Sequence, residues 1–133
     1  MKIKLSKLVN AVSSLQGLSK RDDLPIKVAY ALVKNYKKID TELKAFEETK
    51  NKLFEKYGEK VVLDKKGNVV EDESKGKKVT RIKKEHIETF NKEIDKILED
   101  EIDLQVHKIK IEIFEDVKIK PQTLMAIDFL LED

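Results

Sequence analysis

The sequence predicts one α+β domain, residues 1–133, in which helices dominate. Over a long central stretch, apolar residues recur every three to four positions, which is the period of an α-helix. Shorter stretches alternate apolar and polar residues, which is the period of a β-strand. A chain of 133 residues is close to the commonest domain size and is long enough to bury its own core.

The longest helix is predicted over residues 24–57. Its apolar seam has the heptad spacing of a coiled coil and is interrupted once, by Lys50. The seam consists of Ala29, Leu32, Tyr36, Ile39, Leu43, Phe46, Leu53 and Tyr57. Because so long a helix needs a partner along its surface, we expect it to pair with a shorter antiparallel helix over residues 83–100. Further helices are predicted over residues 6–18 and 121–131.

Five short strands complete the predicted fold. They cover residues 2–5, 61–64, 67–71, 102–106 and 109–114. The second and third strands flank a turn that contains Asp, Gly and Asn, so they predict a β-hairpin between the two paired helices. The last two strands lose their common phase at His107-Lys108, which indicates a β-bulge or a bend. The polar stretch 71–78 is predicted to be a mobile loop.

Composition excludes several classes of site. The chain has no cysteine, which removes disulfides, thiolate zinc sites, iron–sulfur clusters and cysteine nucleophiles. No apolar run approaches the roughly 18 residues that span a bilayer. The first residues are basic but lack the apolar segment of a signal peptide. We therefore expect an intracellular protein that makes no contact with a membrane.

The motifs of known catalytic sites are missing. His86 and His107 fall on different predicted elements, and no metalloprotease, phosphate-loop or serine-nucleophile motif is present. We expect no catalytic residue, no metal site and no cofactor. The remaining alternative is an enzyme or ligand site that combines one of these histidines with two carboxylates in a buried pocket.

Charge is distributed unevenly although the net charge is only +2. Nine basic and two acidic residues give residues 1–38 a net charge of +7, whereas residues 85–103 carry −6. Within the acidic part, Glu99, Asp100 and Glu101 form a dense cluster. One interpretation is a surface that binds a basic partner or a divalent cation. The other is a solvated helix end that pairs with nearby lysines, such as those at the basic start of the long helix.

A basic run is the strongest indication of nucleic-acid binding. It comprises Lys75, Lys77, Lys78, Arg81, Lys83 and Lys84. Six contacts to phosphates would give a strongly salt-dependent affinity. No aromatic residue lies among these cations to stack on bases, and three acids precede them. The competing interpretation is a solvated loop next to strands.

The heptad seam offers a third surface. If the partner helix covers only part of it, Tyr36, Phe46 and Tyr57 remain available for another protein or for a second copy of the chain. The competing interpretation is packing inside the monomer.

Nine segments spread along the chain carry a resemblance. They are KIKL (2–5), LVNAV (8–12), LPIKVAY (24–30), LKAFEE (43–48), KL (52–53), KYGE (56–59), FNKE (90–93), EIDL (101–104) and the end of the chain, 120–132. Together they resemble a family of small uncharacterised bacteriophage and prophage proteins that has no assigned activity. The resemblance extends over nearly the whole chain. It implies a phage-encoded accessory protein and supplies no functional residues.

Together these features predict a non-enzymatic, phage-encoded accessory protein that acts by protein–protein interaction. Its partner is expected to be a host or phage protein, in order to counter a host defence, to redirect host machinery or to assemble the virion. We expect it in the cytoplasm of the bacterial host or in the virion, and self-association is a further option. The alternative is a nucleic-acid-binding accessory protein that uses residues 75–84.

Overall fold

The computed structural model describes residues 1–133 and confirms a mostly helical α+β fold with a long helix and small sheets. Internal contacts group the residues into two compact units. The terminal unit comprises Met1–Ala45 and Leu98–Asp133, and the central unit comprises Phe46–Ile97. The longest helix begins in the terminal unit and ends in the central unit.

The elements follow one another with few connecting residues. The helices are α1 (Leu5–Ser19), α2 (Ile26–Tyr57), α3 (Ile87–Leu98) and α4 (Pro121–Ala126). The strands are β1 (Lys2–Lys4), β2 (Gly58–Leu63), β3 (Val69–Val70), β4 (Lys77–Ile82), β5 (Glu101–Asp103), β6 (Ile109–Lys110) and β7 (Leu131–Glu132). Short 3₁₀ turns occupy Glu73–Lys75, Lys84–His86, Ile111–Phe114 and Asp128–Leu130. None of the helices combines the length and the hydropathy needed to cross a bilayer.

In the terminal unit, β1 pairs antiparallel with β5. Ile3 lies opposite Ile102, and the lysines on either side of Ile3 lie opposite acids. An apolar pair between two pairs of opposite charge stabilises this short ladder. The N–H of Leu5 donates to the carbonyl of Asp100 at 2.9 Å, so the ladder also satisfies a free donor of the first turn of α1.

The core of the terminal unit lies against one face of α1 and one face of α2. Its most completely buried side chains are Leu8, Ala11, Leu15, Leu32, Asn35, Ile39, Ile127 and Leu130. Along α2 the buried stripe contains Asn35, where the heptad pattern predicted Tyr36. Tyr36 is half-buried at the edge of this stripe.

Asn35 holds the extended segment 104–108, which has no strand partner. Its side-chain amide donates to the carbonyl of His107 at 2.9 Å, and its carbonyl oxygen accepts from the N–H of His107 at 2.8 Å. Nearby, the Lys38 ammonium donates to the carbonyl of Gln105 at 2.9 Å. The side chains of α2 therefore satisfy backbone groups that a neighbouring strand would otherwise bond.

The predicted strand over residues 109–114 is wrong beyond Lys110. Ile109 and Lys110 pair in parallel with β7, and the chain then enters a 3₁₀ turn. This turn buries Phe114 and leaves Ile111 43% exposed, so the alternation of isoleucines does not define one buried face. The predicted strand over residues 102–106 likewise ends at Asp103, which lies opposite Lys2, the first residue of β1.

The predicted C-terminal helix is shorter than expected. α4 ends at Ala126 instead of residue 131, and Ile127 leaves the helical conformation. The following 3₁₀ turn buries Phe129 and Leu130, and β7 then pairs with β6. Burial of these side chains and the β6–β7 pairing replace the last helical turns.

In the central unit, the predicted β-hairpin is confirmed with different bounds. β2 pairs antiparallel with β3 across a turn that begins at Asp64 and ends at Gly67. The carboxylate of Asp64 accepts the backbone N–H groups of Lys66 and Asn68, both at 2.9 Å. Gly67 has φ +83°, a conformation that favours glycine.

β4 is a third strand that the sequence did not predict. It pairs antiparallel with all six residues of β2, which gives the sheet order β3-β2-β4. Residues 77 and 78 therefore belong to this strand and not to a mobile loop, and α3 starts at Ile87 instead of residue 83. Because most side chains of β4 are exposed and several are charged, the strand lacks the apolar alternation that marks a half-buried strand.

α3 packs against the C-terminal part of α2 in the expected antiparallel sense. The ring of Phe54 meets that of Phe90 edge-on, with centroids 5.0 Å apart, and the ring of Tyr57 lies 5.3 Å from that of His86. The last residue of α2 thus meets the 3₁₀ turn before α3, and Phe54, one turn earlier in α2, meets α3 itself. The aromatic contacts account for the burial of Phe90.

Replacing Asn35 with Ala leaves the N–H and the carbonyl of His107 without their side-chain partners in a part-buried site. We expect the free energy of unfolding, measured by urea denaturation, to fall by about 2–4 kcal/mol. Asn51→Ala is the matched control, because Asn51 lies exposed on the same helix. Equal losses for the two variants would contradict the role assigned to Asn35.

Gly58 joins α2 to β2 without a connecting loop, and a methyl group there has no room. A Cβ atom on Gly58 would lie 2.9 Å from Cγ2 of Thr80 and closer still to the carbonyl oxygen of Phe54. We expect Gly58→Ala to lower the free energy of unfolding by about 1–3 kcal/mol. Gly17→Ala, where no atom lies within 4 Å of the added carbon, should leave it unchanged or raise it by up to about 1 kcal/mol. Similar losses for both substitutions would contradict this interpretation.

Candidate functional site

The acidic cluster at residues 99–101 is engaged within the terminal unit. A carboxylate oxygen of Glu99 lies 2.8 Å from the ammonium of Lys4, and this hydrogen bond raises the pKa of Lys4. Glu101 lies opposite Lys4 in the β1–β5 ladder. Asp100 contributes its backbone carbonyl to the start of α1. The ion-pair partner of this cluster is thus Lys4 of β1, and no cation of α2 pairs with it.

The three aromatic residues of the predicted docking seam do not form one surface. Phe46 is only 7% exposed and belongs to the core. Tyr57 is half-buried, and its hydroxyl donates to a carboxylate oxygen of Glu93 at 3.1 Å. Tyr36 lies in the terminal unit, where its hydroxyl has no hydrogen-bond partner. Packing, the competing interpretation of this seam, accounts for Phe46 and Tyr57.

The basic run is divided among three local structures. Lys77, Lys78 and Arg81 lie on β4, Lys75 ends a 3₁₀ turn, and Lys83 and Lys84 lead into α3. Two of these cations are partly neutralised by acids. The ammonium of Lys78 lies 3.0 Å from the carboxylate of Glu73, and the guanidinium of Arg81 lies 3.1 Å from that of Glu59.

The strand register places four aliphatic side chains on one face of the sheet. Val61 lies opposite Val79, and Leu63 lies opposite both Lys77 and Val69, so these side chains point to the same side. We call Val61, Leu63, Val69 and Val79 the aliphatic face. None of the four is fully buried, and Val69 is 51% exposed.

A cleft of about 570 Å³ opens on the aliphatic face. Leu63 and Val79 contribute its apolar surface, and Lys65, Lys75 and Lys77 surround them. We call it the lysine cleft. These three lysines form no ion pair, whereas Asp64, the one acid that lines the cleft, has its carboxylate occupied by the hairpin turn. The cleft thus combines apolar area with uncompensated positive charge.

β4 borders the lysine cleft and is an edge strand. Within its sheet it pairs only with β2, so one side of its six-residue backbone has no strand beside it. An edge of this kind presents N–H and C=O groups that are able to bond an added strand. The opposite edge of the sheet is β3, which has only two residues.

Sequence reasoning found two of the three cations of this site but missed the third and the apolar part. Lys75 and Lys77 belong to the basic run, whereas Leu63, Lys65 and Val79 were not singled out. Their proximity depends on the pairing of residues 58–63 with residues 77–82. One feature of the sequence could have indicated the strand at residues 77–82. Val79 and Thr80, two β-branched residues that favour strands, lie next to each other inside the charged stretch.

The two histidines fall in different units, His86 in the central unit and His107 in the terminal unit. The nearest acid to His86 is Glu85, 3.8 Å from its Nε2 atom. No group of three or more His, Asp or Glu side chains is arranged to hold a metal ion.

The contact between Tyr57 and Glu93 predicts a structural role for Tyr57. The second carboxylate oxygen of Glu93 is buried without a hydrogen bond, so Tyr57→Phe deprives this carboxylate of the one partner it has. We expect the free energy of unfolding in urea to fall by about 1–2 kcal/mol. Tyr36→Phe removes a hydroxyl that has no partner and should change it by less than about 0.5 kcal/mol. If Tyr57→Phe left the free energy of unfolding unchanged, the structural role would be contradicted, and Tyr57 would again be a candidate for partner binding.

Comparison with protein-family models, with curated proteins and with solved structures yields no match to this chain.

Proposed function

We propose that the chain is a protein-interaction module that binds an extended, acidic and apolar segment of a partner protein along β4. The observation that carries this proposal is the lysine cleft beside an unpaired strand edge. A strand added to β4 would bond the free backbone groups of the edge, and its alternate side chains would reach the aliphatic face. Backbone bonds supply affinity in this mode, and the cleft supplies specificity.

Charge favours an acidic occupant. Lys65, Lys75 and Lys77 make no ion pair, so a partner with Asp or Glu at alternate positions would meet uncompensated ammonium groups. The same charges oppose pairing between two copies of β4, because like charges would then face one another. The edge is therefore selective: it disfavours a second copy and favours an acidic strand.

Nucleic acid fits the same surface less well. Its bases stack on aromatic rings, but the surface around the unpaired lysines is aliphatic, with Leu63 and Val79. Lys78 and Arg81, which were expected to contact phosphates, already pair with Glu73 and Glu59. Binding through residues 75–84 stays the second candidate and is an outcome of the experiment below.

The resemblance to phage and prophage proteins suggests where the partner originates. We propose a non-enzymatic, phage-encoded accessory protein that acts on a host or phage protein in the cytoplasm of the bacterial host. Counter-defence, redirection of host machinery and virion assembly would each use such a binding surface. The chemistry of the cleft identifies the partner segment by its acids and aliphatic residues.

A peptide selection tests this proposal directly. The full chain is immobilised, and displayed random ten-residue peptides are selected against it at physiological salt. We expect a consensus in which Asp or Glu alternates with Val, Ile or Leu. The consensus peptide is then titrated by fluorescence anisotropy, beside fluorescent single-stranded and double-stranded DNA of 20 nucleotides.

Two changes, one in the protein and one in the peptide, should weaken or abolish binding of the consensus peptide. Lys75→Glu with Lys77→Glu should weaken it by at least about tenfold, because two attractive pairs become repulsive. Lys52→Glu with Lys60→Glu is the matched control, since Lys52 lies on α2 and Lys60 on the opposite face of the sheet. Two methylated peptides are also compared, one with N-methyl groups at odd positions and one at even positions. Because a strand bonds its neighbour through alternate residues, one of these peptides should lose binding and the other should keep it.

Other results would contradict strand addition. Strand addition would be excluded if neither methylated peptide lost binding. It would also be excluded if the two double variants lost binding equally. Tight DNA binding that falls steeply with salt and is lost with Lys75 and Lys77 would promote the nucleic-acid alternative. A selection without a consensus would reject an acidic extended segment as the ligand.

A further inference from the structure

The terminal unit contains a second cleft, of about 520 Å³, whose lining differs in chemistry from that of the lysine cleft. One side is the last part of α1, and the other is the segment that leads into α4. Its volume lies within the range of small-molecule sites. We call it the hydroxyl cleft, because Ser13, Ser14 and Thr123 all line it.

The hydroxyl groups of this cleft are not used by the fold. A serine or threonine within a helix often donates to a carbonyl in the preceding turn, as Ser19 does to Gln16 and Thr41 does to Lys37. The hydroxyls of Ser13, Ser14 and Thr123 have no hydrogen-bond partner in the structure. Three donors therefore line one cleft without an acceptor.

Two lysines provide the positive charge of the cleft. Lys118 and Lys120 line it, and the ammonium of neither forms an ion pair or a hydrogen bond. The third cation, Arg21, is committed elsewhere: its Nε atom donates to the Asp23 carboxylate at 2.8 Å, and each group shifts the pKa of the other toward the charged form. Arg21 also donates to the carbonyl of Lys118 at 2.8 Å, which joins the two sides of the cleft.

Gly17 leaves space in the cleft that the fold does not need. It lies within α1, where glycine is less stable than alanine. No atom lies within 4 Å of the position that a Cβ atom would take, so no neighbour in the structure requires glycine there. The absence of a side chain at Gly17 enlarges the cleft next to the free hydroxyls.

We propose that the hydroxyl cleft binds a small phosphate monoester. A phosphoryl group offers several acceptor oxygens and close to two negative charges at neutral pH, which match three free hydroxyl donors and two free ammonium groups. Leu18 and Ile119, which also line the cleft, provide apolar surface for the organic part of the ester. This site lies in the terminal unit and does not depend on peptide binding at β4.

The test uses the ¹⁵N-labelled full chain and ligand pairs that differ only in the phosphate. Ribose 5-phosphate is compared with ribose, AMP with adenosine, and inorganic phosphate with acetate, all at constant ionic strength. We expect saturable amide shifts at Gly17, Lys118, Lys120 and Thr123 with the phosphorylated ligands. The ligands without phosphate, and acetate, should give none.

Variants separate binding from folding. Lys118→Ala with Lys120→Ala should lower the affinity for AMP by at least about tenfold, whereas Lys37→Ala with Lys110→Ala, which removes two exposed lysines elsewhere in the terminal unit, should not. Gly17→Phe should abolish binding without lowering the melting temperature. The control, Gln16→Phe, changes an exposed neighbour that does not line the cleft and should bind normally.

Several outcomes would overturn the proposal. These are an absence of saturable shifts with every phosphorylated ligand, equal shifts with acetate, or normal AMP binding by Gly17→Phe. If adenosine and AMP bound equally, the site would recognise the base and not the phosphate. A loss of peptide binding at β4 leaves all of these readouts unchanged, so the two proposals fail separately.

Discussion

The terminal unit depends on the two hydrogen bonds between the side chain of Asn35 and the backbone of His107. Residues 105–108 have no strand beside them, and leaving a part-buried backbone N–H or carbonyl without a partner costs stability. An asparagine side chain presents an N–H donor and a carbonyl acceptor side by side, so it bonds the N–H and the carbonyl of the single residue His107, and α2 takes the place of the missing strand. With this segment held, β5 pairs with β1 on one side, and Ile109 enters the core on the other.

The central unit solves a different problem, because its sheet has little to pack against. Val62 is its only fully buried aliphatic residue, and the aliphatic face remains half-exposed. Such a sheet is stabilised by its ladder, by the Asp64–Gly67 turn and by the tight junction at Gly58. The aliphatic face is only partly covered, and the lysines beside it make no ion pair, so this surface is open to a partner. The acidic cluster and most of the aromatic seam, in contrast, make contacts within the fold.

Local chemistry explains which elements the sequence predicted. The length of α2 follows from its long heptad pattern of apolar residues, and the hairpin turn follows from Asp64 and Gly67. β4 was missed because an exposed strand with charges on both faces lacks apolar alternation, and its Val79 and Ile82 have helical spacing. The isoleucines after residue 108 alternate, yet the burial of Phe114 and the pairing with β7 end the strand after two residues.

The candidate sites were less predictable than the fold. Lys75 and Lys77 of the lysine cleft belong to a basic run that the sequence shows directly. Leu63 and Val79 come together only through the strand register. The hydroxyl cleft joins residues more than a hundred positions apart, and a serine in a helix is unremarkable until its hydroxyl is seen without a partner. Asn35 similarly became notable only because it is 1% exposed.

The unequal edges of the central sheet limit how far strand pairing is able to extend. A sheet whose two edges both accept strands is bifunctional, like a monomer that polymerises, and repeated addition leads to fibres. Here β4 offers six residues and β3 only two, so each molecule has a single usable end. In the language of polymer chemistry, the proposed strand addition would make the protein a chain stopper, which pairs with one strand and does not pass the pairing on.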